Sequence, residues 1–329
     1  MQLTILRFAG LLLFLLFQSS CFNNLKPDLS TEEGIRSALN ANPLDPEALH
    51  AKTKLLMKSQ KADSALSTIL LALEQDSSKS EYFLTLADVY LVMNQTRYTR
   101  NALEKAISID PENKDSHMKL AELYLYVEMR QEAINQINEV LKRDKNNPKA
   151  YYLKGIIYKE SGDTSLAISS FMTTVEQDPK YLLAYEQLGL VFASARNPRA
   201  IDFYNTAIRM DPKNTLTRYN LGIFYQENGE PEKAVEVYND LLRLDPKFPN
   251  AHYNLGYIAA EVNGDYQKAY PHFEAASKAS PTYAAAVYMQ GVCMEKTGNL
   301  PKAKELYIQA IRLDPGFELA NAGLNRLGK

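Results

Sequence analysis

The sequence predicts an all-α solenoid of stacked helix-turn-helix units, and three observations carry that expectation. The first is a clock: Pro43, Ser77, Pro111, Lys145, Pro179, Pro212, Pro246, Pro281 and Pro315 follow one another at 34, 34, 34, 34, 33, 34, 35 and 34 residues. A fixed period of roughly 20 to 50 residues marks stacked repeats. The second is a pair of small residues in every unit: Thr53, Ala87, Ala121, Gly155, Gly189, Gly222, Gly256 or Gly291, then Ala65, Thr99, Ala133, Ala167, Ala200, Ala234, Ala269 or Ala303. Small residues at two matched points let antiparallel helices cross closely. The third is a polar turn between the two points, as in Glu160-Ser161-Gly162-Asp163 and Glu227-Asn228-Gly229-Glu230.

The elements follow in chain order. Residues 1–20 carry one charge, Arg7, then an apolar run from Phe8 to Phe17 and small residues before Cys21. Ten apolar residues are too few to span a bilayer, and the layout is that of a cleaved secretory leader. Gln18-Ser19-Ser20-Cys21 resembles the bacterial lipobox, with Gln in place of the usual Leu. That resemblance implies lipidation of Cys21 and, with Phe22 rather than Asp after it, a lipid-anchored protein of the cell envelope, at the outer membrane and facing the periplasm. The alternative is an ordinary leader followed by a chance cysteine. Residues 21–29 then read as a tether.

Residues 30–42 read as a half-repeat: Ser30-Thr31-Glu32-Glu33 is a capping box, and Ile35, Ala38 and Leu39 share one helix face. Eight repeats follow, at 46–79, 80–113, 114–147, 148–181, 182–214, 215–248, 249–283 and 284–317. Five of the corner prolines follow Asp, and proline both disfavours helix before it and suits the first turn of the next helix. The one-residue deletion and insertion fall between Gly189 and Ala200 and between Gly256 and Ala269, so both are expected in turns inside a repeat. Residues 318–329 read as a capping helix with Leu319, Ala322 and Leu327 on its buried face.

Stretches such as Tyr219-Asn220-Leu221-Gly222, Glu232-Lys233-Ala234-Val235 and Leu244-Asp245-Pro246 are similar to the tetratricopeptide repeat over about residues 46–315. The resemblance implies a right-handed superhelical solenoid whose concave face is lined by the first helix of each pair. It departs where the family often has Trp: the chain holds 21 Tyr and no Trp, and tyrosine takes over part of that packing.

Composition narrows the function. With 37 basic against 39 acidic residues, no cationic face for nucleic acid is expected. Two cysteines, no Cys/His cluster and no nucleotide or hydrolase motif argue against a metal site, a cofactor or catalysis. His117 and His252 fall on a packing position, and Cys293 reads as a small apolar residue.

On the concave face the residue after each small one is Lys54, Asp88, Glu122, Ile156, Leu190, Ile223, Tyr257 and Val292. One turn earlier come His50, Leu84, Met118, Tyr152, Glu186, Tyr219, Tyr253 and Tyr288. The N-terminal part is therefore acidic, with Glu47, Glu81 and Asp115, and the C-terminal part is apolar and tyrosine-rich. Tyr152, Ile156, Leu190, Tyr219, Asn220, Ile223, Tyr253, Asn254, Tyr257 and Tyr288 are the candidate groove for a protein or peptide partner. Asn220 and Asn254 form at most a broken asparagine ladder. Burial of the same tyrosines between adjacent repeats is the competing reading. A non-enzymatic interaction scaffold leads; a periplasmic small-ligand-binding lipoprotein serving a transporter is the alternative, and self-association a third.

Overall fold

The computed structural model describes residues 27–328. The leader 1–20, Cys21 and the first part of the tether lie outside the described residues, as does Lys329. Every regular element among the described residues is helical. They fall into two compact units that divide between Lys145 and Asn146, the junction of the third and fourth repeats.

The first unit opens on α1 (Glu32–Ala41) and holds three helix pairs: α2 (Pro46–Lys58) with α3 (Ala62–Gln75), α4 (Ser80–Val92) with α5 (Thr96–Ile109), and α6 (Lys114–Tyr126) with α7 (Arg130–Arg143). The second holds five: α8 (Pro148–Glu160) with α9 (Thr164–Gln177), α10 (Leu182–Ser194) with α11 (Arg199–Met210), α12 (Thr215–Glu227) with α13 (Pro231–Leu244), α14 (Pro249–Tyr257) with α15 (Tyr266–Ala279), and α16 (Ala284–Lys296) with α17 (Leu300–Leu313). It closes on α18 (Glu318–Leu327).

All eight turns inside the repeats end the first helix the same way. The amide of Lys61, Gln95, Met129, Asp163, Asn197, Glu230, Asp265 or Asn299 donates back to a carbonyl in the helix's last turn, over 2.7–3.0 Å. The residue before it is left-handed, with φ from 52° to 88°, which is the geometry of a helix closed by a positive-φ residue. Glycine holds that place in four turns, at Gly162, Gly229, Gly264 and Gly298. Gln60, Asn94, Glu128 and Arg196 hold it in the others.

The inserted residue of the seventh repeat does not enlarge the turn, contrary to expectation. It is absorbed as a π-helical turn, Ile258–Val262, at the end of the first helix, and the Asp265 amide still reaches the Ala259 carbonyl at 2.7 Å. The deleted residue of the fifth repeat is taken from the start of α11, which begins after Pro198 and has 12 residues.

Helix pairs in the two units close differently. In the first unit Thr53, Ala87 and Ala121 on the first helix share their repeats with Ile69, Leu103 and Ile137 on the second, all buried. In the second, Gly155, Gly189, Gly222, Gly256 and Gly291 lie against the rings of Phe171, Tyr204, Tyr238, Phe273 and Tyr307, where an added Cβ would stand 2.3–2.9 Å from the ring. Glycine makes the room that the ring fills, so helix spacing is kept while the core changes from aliphatic to aromatic.

Both ends differ in detail from the sequence expectation. The N-cap of α1 is Thr31, which accepts from the Gly34 amide at 3.0 Å, so the helix starts one residue later than the capping box implies. Ile35 and Ala38 are buried as expected. In α18 the buried residues are Ala320 and Gly323, while Leu319 is 57% exposed. Phe317 packs edge-on against Tyr288 at 5.2 Å, and Gly323 seats on the Tyr307 ring. Those two contacts turn α18 so that Leu319 and Ala322 face out.

Candidate functional site

The tyrosines of the expected groove are packing residues first. Tyr152 lies 5.1 Å from Tyr181 and 5.8 Å from Phe171, ring centre to ring centre. Tyr219 repeats this with Phe248 at 5.3 Å and Tyr238 at 6.2 Å. Tyr253 does so with Tyr283 at 5.2 Å and Phe273 at 5.4 Å, and Tyr288 with Phe317 at 5.2 Å and Tyr307 at 5.6 Å. Each is held between its own repeat's buried ring and an aromatic residue at the entry to the next first helix. Such ring pairs add about 0.5–1.5 kcal/mol to area burial. Burial raises the hydroxyl pKa of Tyr152, Tyr219, Tyr253 and Tyr288, and that of Tyr283 to about 12.

The fifth repeat replaces this ring pair with a polar one. Glu186 stands where its neighbours have Tyr, and its Oε1 accepts from Asn214 Nδ2 at 2.5 Å and Thr217 Oγ1 at 2.9 Å. Asn214 occupies the place of Tyr181 and Phe248, so both partners change together.

What remains open on the first helices of this unit is the residue after each glycine. Leu190 is 36% and Tyr257 39% exposed, and Ile156, Ile223 and Val292 are half-buried. Between α10 and α12 a cleft of about 180 Å³ is lined by Leu190, Tyr204, Asn220, Ile223, Phe224 and Glu227, among others. Asn220 therefore faces open space, whereas Asn254 turns inward and its Nδ2 donates to the Tyr238 hydroxyl at 2.9 Å. Gln187 accepts from Lys159 at 2.6 Å and Met289 is buried, so no continuous ladder of amides runs along these helices.

In the first unit two charges of the expected acidic face, Glu47 and Asp88, are spent on lysines. Glu47 pairs with Lys79 at 2.8 Å, and Asp88 pairs with Lys119. On the outer corners Lys114 reaches Asp144 at 3.1 Å and Arg143 reaches Glu112 at 2.8 Å. The sequence showed the acids but not that lysines 32 and 31 residues later answer two of them.

The remaining titratable groups are structural. His117 bonds Gln136 at 2.7 Å and the Pro111 carbonyl at 3.0 Å, and His252 the Pro246 carbonyl at 3.0 Å. His50 is buried against Thr85 at 2.8 Å; burial and then the charges of Lys54 and Lys79 lower its pKa to about 4. Burial pushes the Cys293 thiol up to about 12, far from a nucleophile. No group of three or more His, Cys, Asp or Glu among the described residues is arranged to hold a metal ion. No described helix is long and apolar enough to cross a membrane.

Residues 148–181, 203–236, 227–261 and 263–327 match family models of the tetratricopeptide repeat. These segments are tetratricopeptide repeats. The matched segments fall on the helix pairs of the second unit, and the first unit repeats the same period and the same turn closure. Among solved structures, the C-terminal part of a tetratricopeptide-repeat protein from Cytophaga hutchinsonii is similar with TM-score 0.64 and 21% identity, covering 72% of this chain and 98% of that one. A tetratricopeptide repeat protein from Parabacteroides merdae is similar with TM-score 0.54 and 16% identity, covering 77% and 100%. At these identities the likeness is one of fold. No curated protein matches the sequence significantly.

Proposed function

We propose that this chain is a non-enzymatic interaction scaffold, held in the bacterial cell envelope by lipid on Cys21, whose second unit grips a segment of a partner protein. The observation that carries the reading is the row of Ile156, Leu190, Ile223 and Tyr257, in which Leu190 and Tyr257 are exposed and the two isoleucines half-buried, beside tyrosines held in ring triads. The triads hold the first helices in place, and the residue after each glycine is left free to touch a partner. A row of apolar side chains one repeat apart, broken by the Asn220 and Glu227 cleft, suits a peptide with spaced apolar anchors and a polar group between them.

The small-ligand alternative gains nothing from this strip. The cleft at Leu190 holds about 180 Å³, below the range of roughly 300–1,000 Å³ usual for small-molecule pockets.

Leu190→Glu with Tyr257→Ala tests the reading in detergent extracts of cells. Partners are expected to be lost while helical content stays at the parent level; unchanged partners with intact helicity contradict the strip. The outer-membrane address is tested by fractionating the parent chain.

A further inference from the structure

The turn edge of the first unit carries a feature that the strip does not use. The last residue of each first helix, or of the π turn that ends it in the seventh repeat, is Lys58, Val92, Tyr126, Glu160, Ser194, Glu227, Val262 or Lys296 in the eight repeats. Repeats two, three and seven are apolar there, and only two and three adjoin one another. Tyr126 is 75%, Val92 61% and Leu91 50% exposed, and Val127 lines a notch of about 300 Å³ with Leu123, Tyr124 and Met129 on one side and Thr96, Arg97 and Arg100 on the other. Tyr98, at the start of α5 and 55% exposed, extends the ridge and lies 5.2 Å from Tyr90.

Charge near the ridge is mixed. Arg97 and Arg100 line the notch, Arg100 Nε is 3.7 Å from Glu104, and Glu128 and Arg130 sit at the adjoining turn. Whatever covers the ridge is held by its apolar side chains.

The position of the tether says what that is. Like the second helix of a repeat, α1 starts at the turn edge. Leu29 and Ser30, just before it, border the same cleft as Leu55 and Lys58 at the end of α2. The chain therefore enters the unit at the edge where the ridge lies. Eight residues join Cys21 to Leu29, which span at most about 29 Å when extended.

We propose that the Leu91, Val92, Tyr126 and Val127 ridge rests on the bilayer to which Cys21 tethers the chain. Tyrosine and aliphatic side chains at the end of a short tether favour the membrane interface, where a ring's apolar body and polar hydroxyl are both satisfied. Two or more acyl chains hold a protein at a membrane, and a tether between them and the fold leaves its orientation free. The ridge supplies the orientation, setting the helices of the first unit end-on to the surface. The inference rests on the lipid-anchor reading, and its test does not.

The chain has no tryptophan, so a Tyr126→Trp reporter gives fluorescence without background. A chain of residues 21–329, which contains every described helix, is coupled through Cys21 to a maleimide lipid in vesicles of phosphatidylethanolamine and phosphatidylglycerol at 3:1. Cys293 is buried and does not compete. The expected result is a blue-shifted emission, quenched about twofold or more by brominated acyl chains and unchanged by high salt. Leu44→Trp, at the opposite ends of the helices, stays unquenched, and Leu91→Glu with Val92→Glu abolishes the quenching of the Tyr126→Trp reporter. Absence of quenching in the coupled chain overturns the proposal. So does a blue shift without quenching in a chain that sediments as a dimer, which assigns the ridge to a second copy. Because the tether is chemical, failure of lipidation in cells shows separately, as fractionation unaffected by Cys21→Ser.

Discussion

A Cβ built on Gly222 would stand 2.3 Å from Cε1 of Tyr238, and the ring cannot move aside. Tyr238 is fully buried, its hydroxyl reaches Gln226 at 3.2 Å, and Asn254 donates to it at 2.9 Å. Gly222→Ala removes an unfavourable helix residue worth about 1 kcal/mol but overpacks a core at a cost of about 1–3 kcal/mol. The outcome expected is net destabilisation, read as a lower denaturation midpoint. Tyr238→Leu alone leaves a cavity. The pair together recreates the Ala87 and Leu103 pairing of the second repeat, so a double-mutant cycle should show favourable coupling of about 1 kcal/mol or more.

That pairing was half legible in the sequence. The 34-residue clock and the two small positions placed every helix pair, because a period is a property of the chain itself. That the ring opposite each glycine is Phe171, Tyr204, Tyr238, Phe273 or Tyr307 follows only once the crossing is known. The same limit applies to Tyr219 and Tyr253. Their spacing puts them on the first-helix face, but Phe248 and Tyr283, one helix pair later, decide that they are packed. Leu319 was misplaced because the rotation of α18 is set by Phe317 on Tyr288, a contact between helices that the pattern of α18 alone does not contain.

The turn residues give a second prediction. Glu128 holds φ 61°, a left-handed conformation that costs an ordinary residue about 1 kcal/mol more than glycine. Glu128→Gly should stabilise the first unit by up to about 1 kcal/mol, and Gly229→Ala, at φ 77°, should destabilise the second by about 1–2 kcal/mol. Equilibrium unfolding in urea reads both; equal and negligible effects would show that the turns relax.

His50 gives a pH dependence. Its folded pKa is lowered to about 4 from an unfolded value near 6.5, so the unfolded chain binds the proton first. Stability from this group is complete above about pH 6.5 and falls as pH drops from there to about 4, by at most about 3 kcal/mol. His50→Gln should flatten the unfolding midpoint across that window. An unchanged slope in the variant would assign the loss to other groups.

Lipidation makes a prediction in cells. Cys21→Ser should either leave the chain uncleaved or release it to the soluble fraction, read by fractionation and the mass of the N-terminal fragment. A cleaved variant that stays in the membrane would contradict the acylated cysteine.

The strip on the second unit is tested most directly by photo-crosslinking in living cells from single positions. A photoreactive residue placed at Leu190 or Tyr257 should capture the same partner protein, and one at Tyr253, held between Phe273 and Tyr283, should capture it weakly. Capture from Leu190 and Tyr257 that disappears with Ile223→Glu is the predicted result. No capture from either position, in a chain whose helical content and abundance match the parent, would contradict the strip as the binding surface.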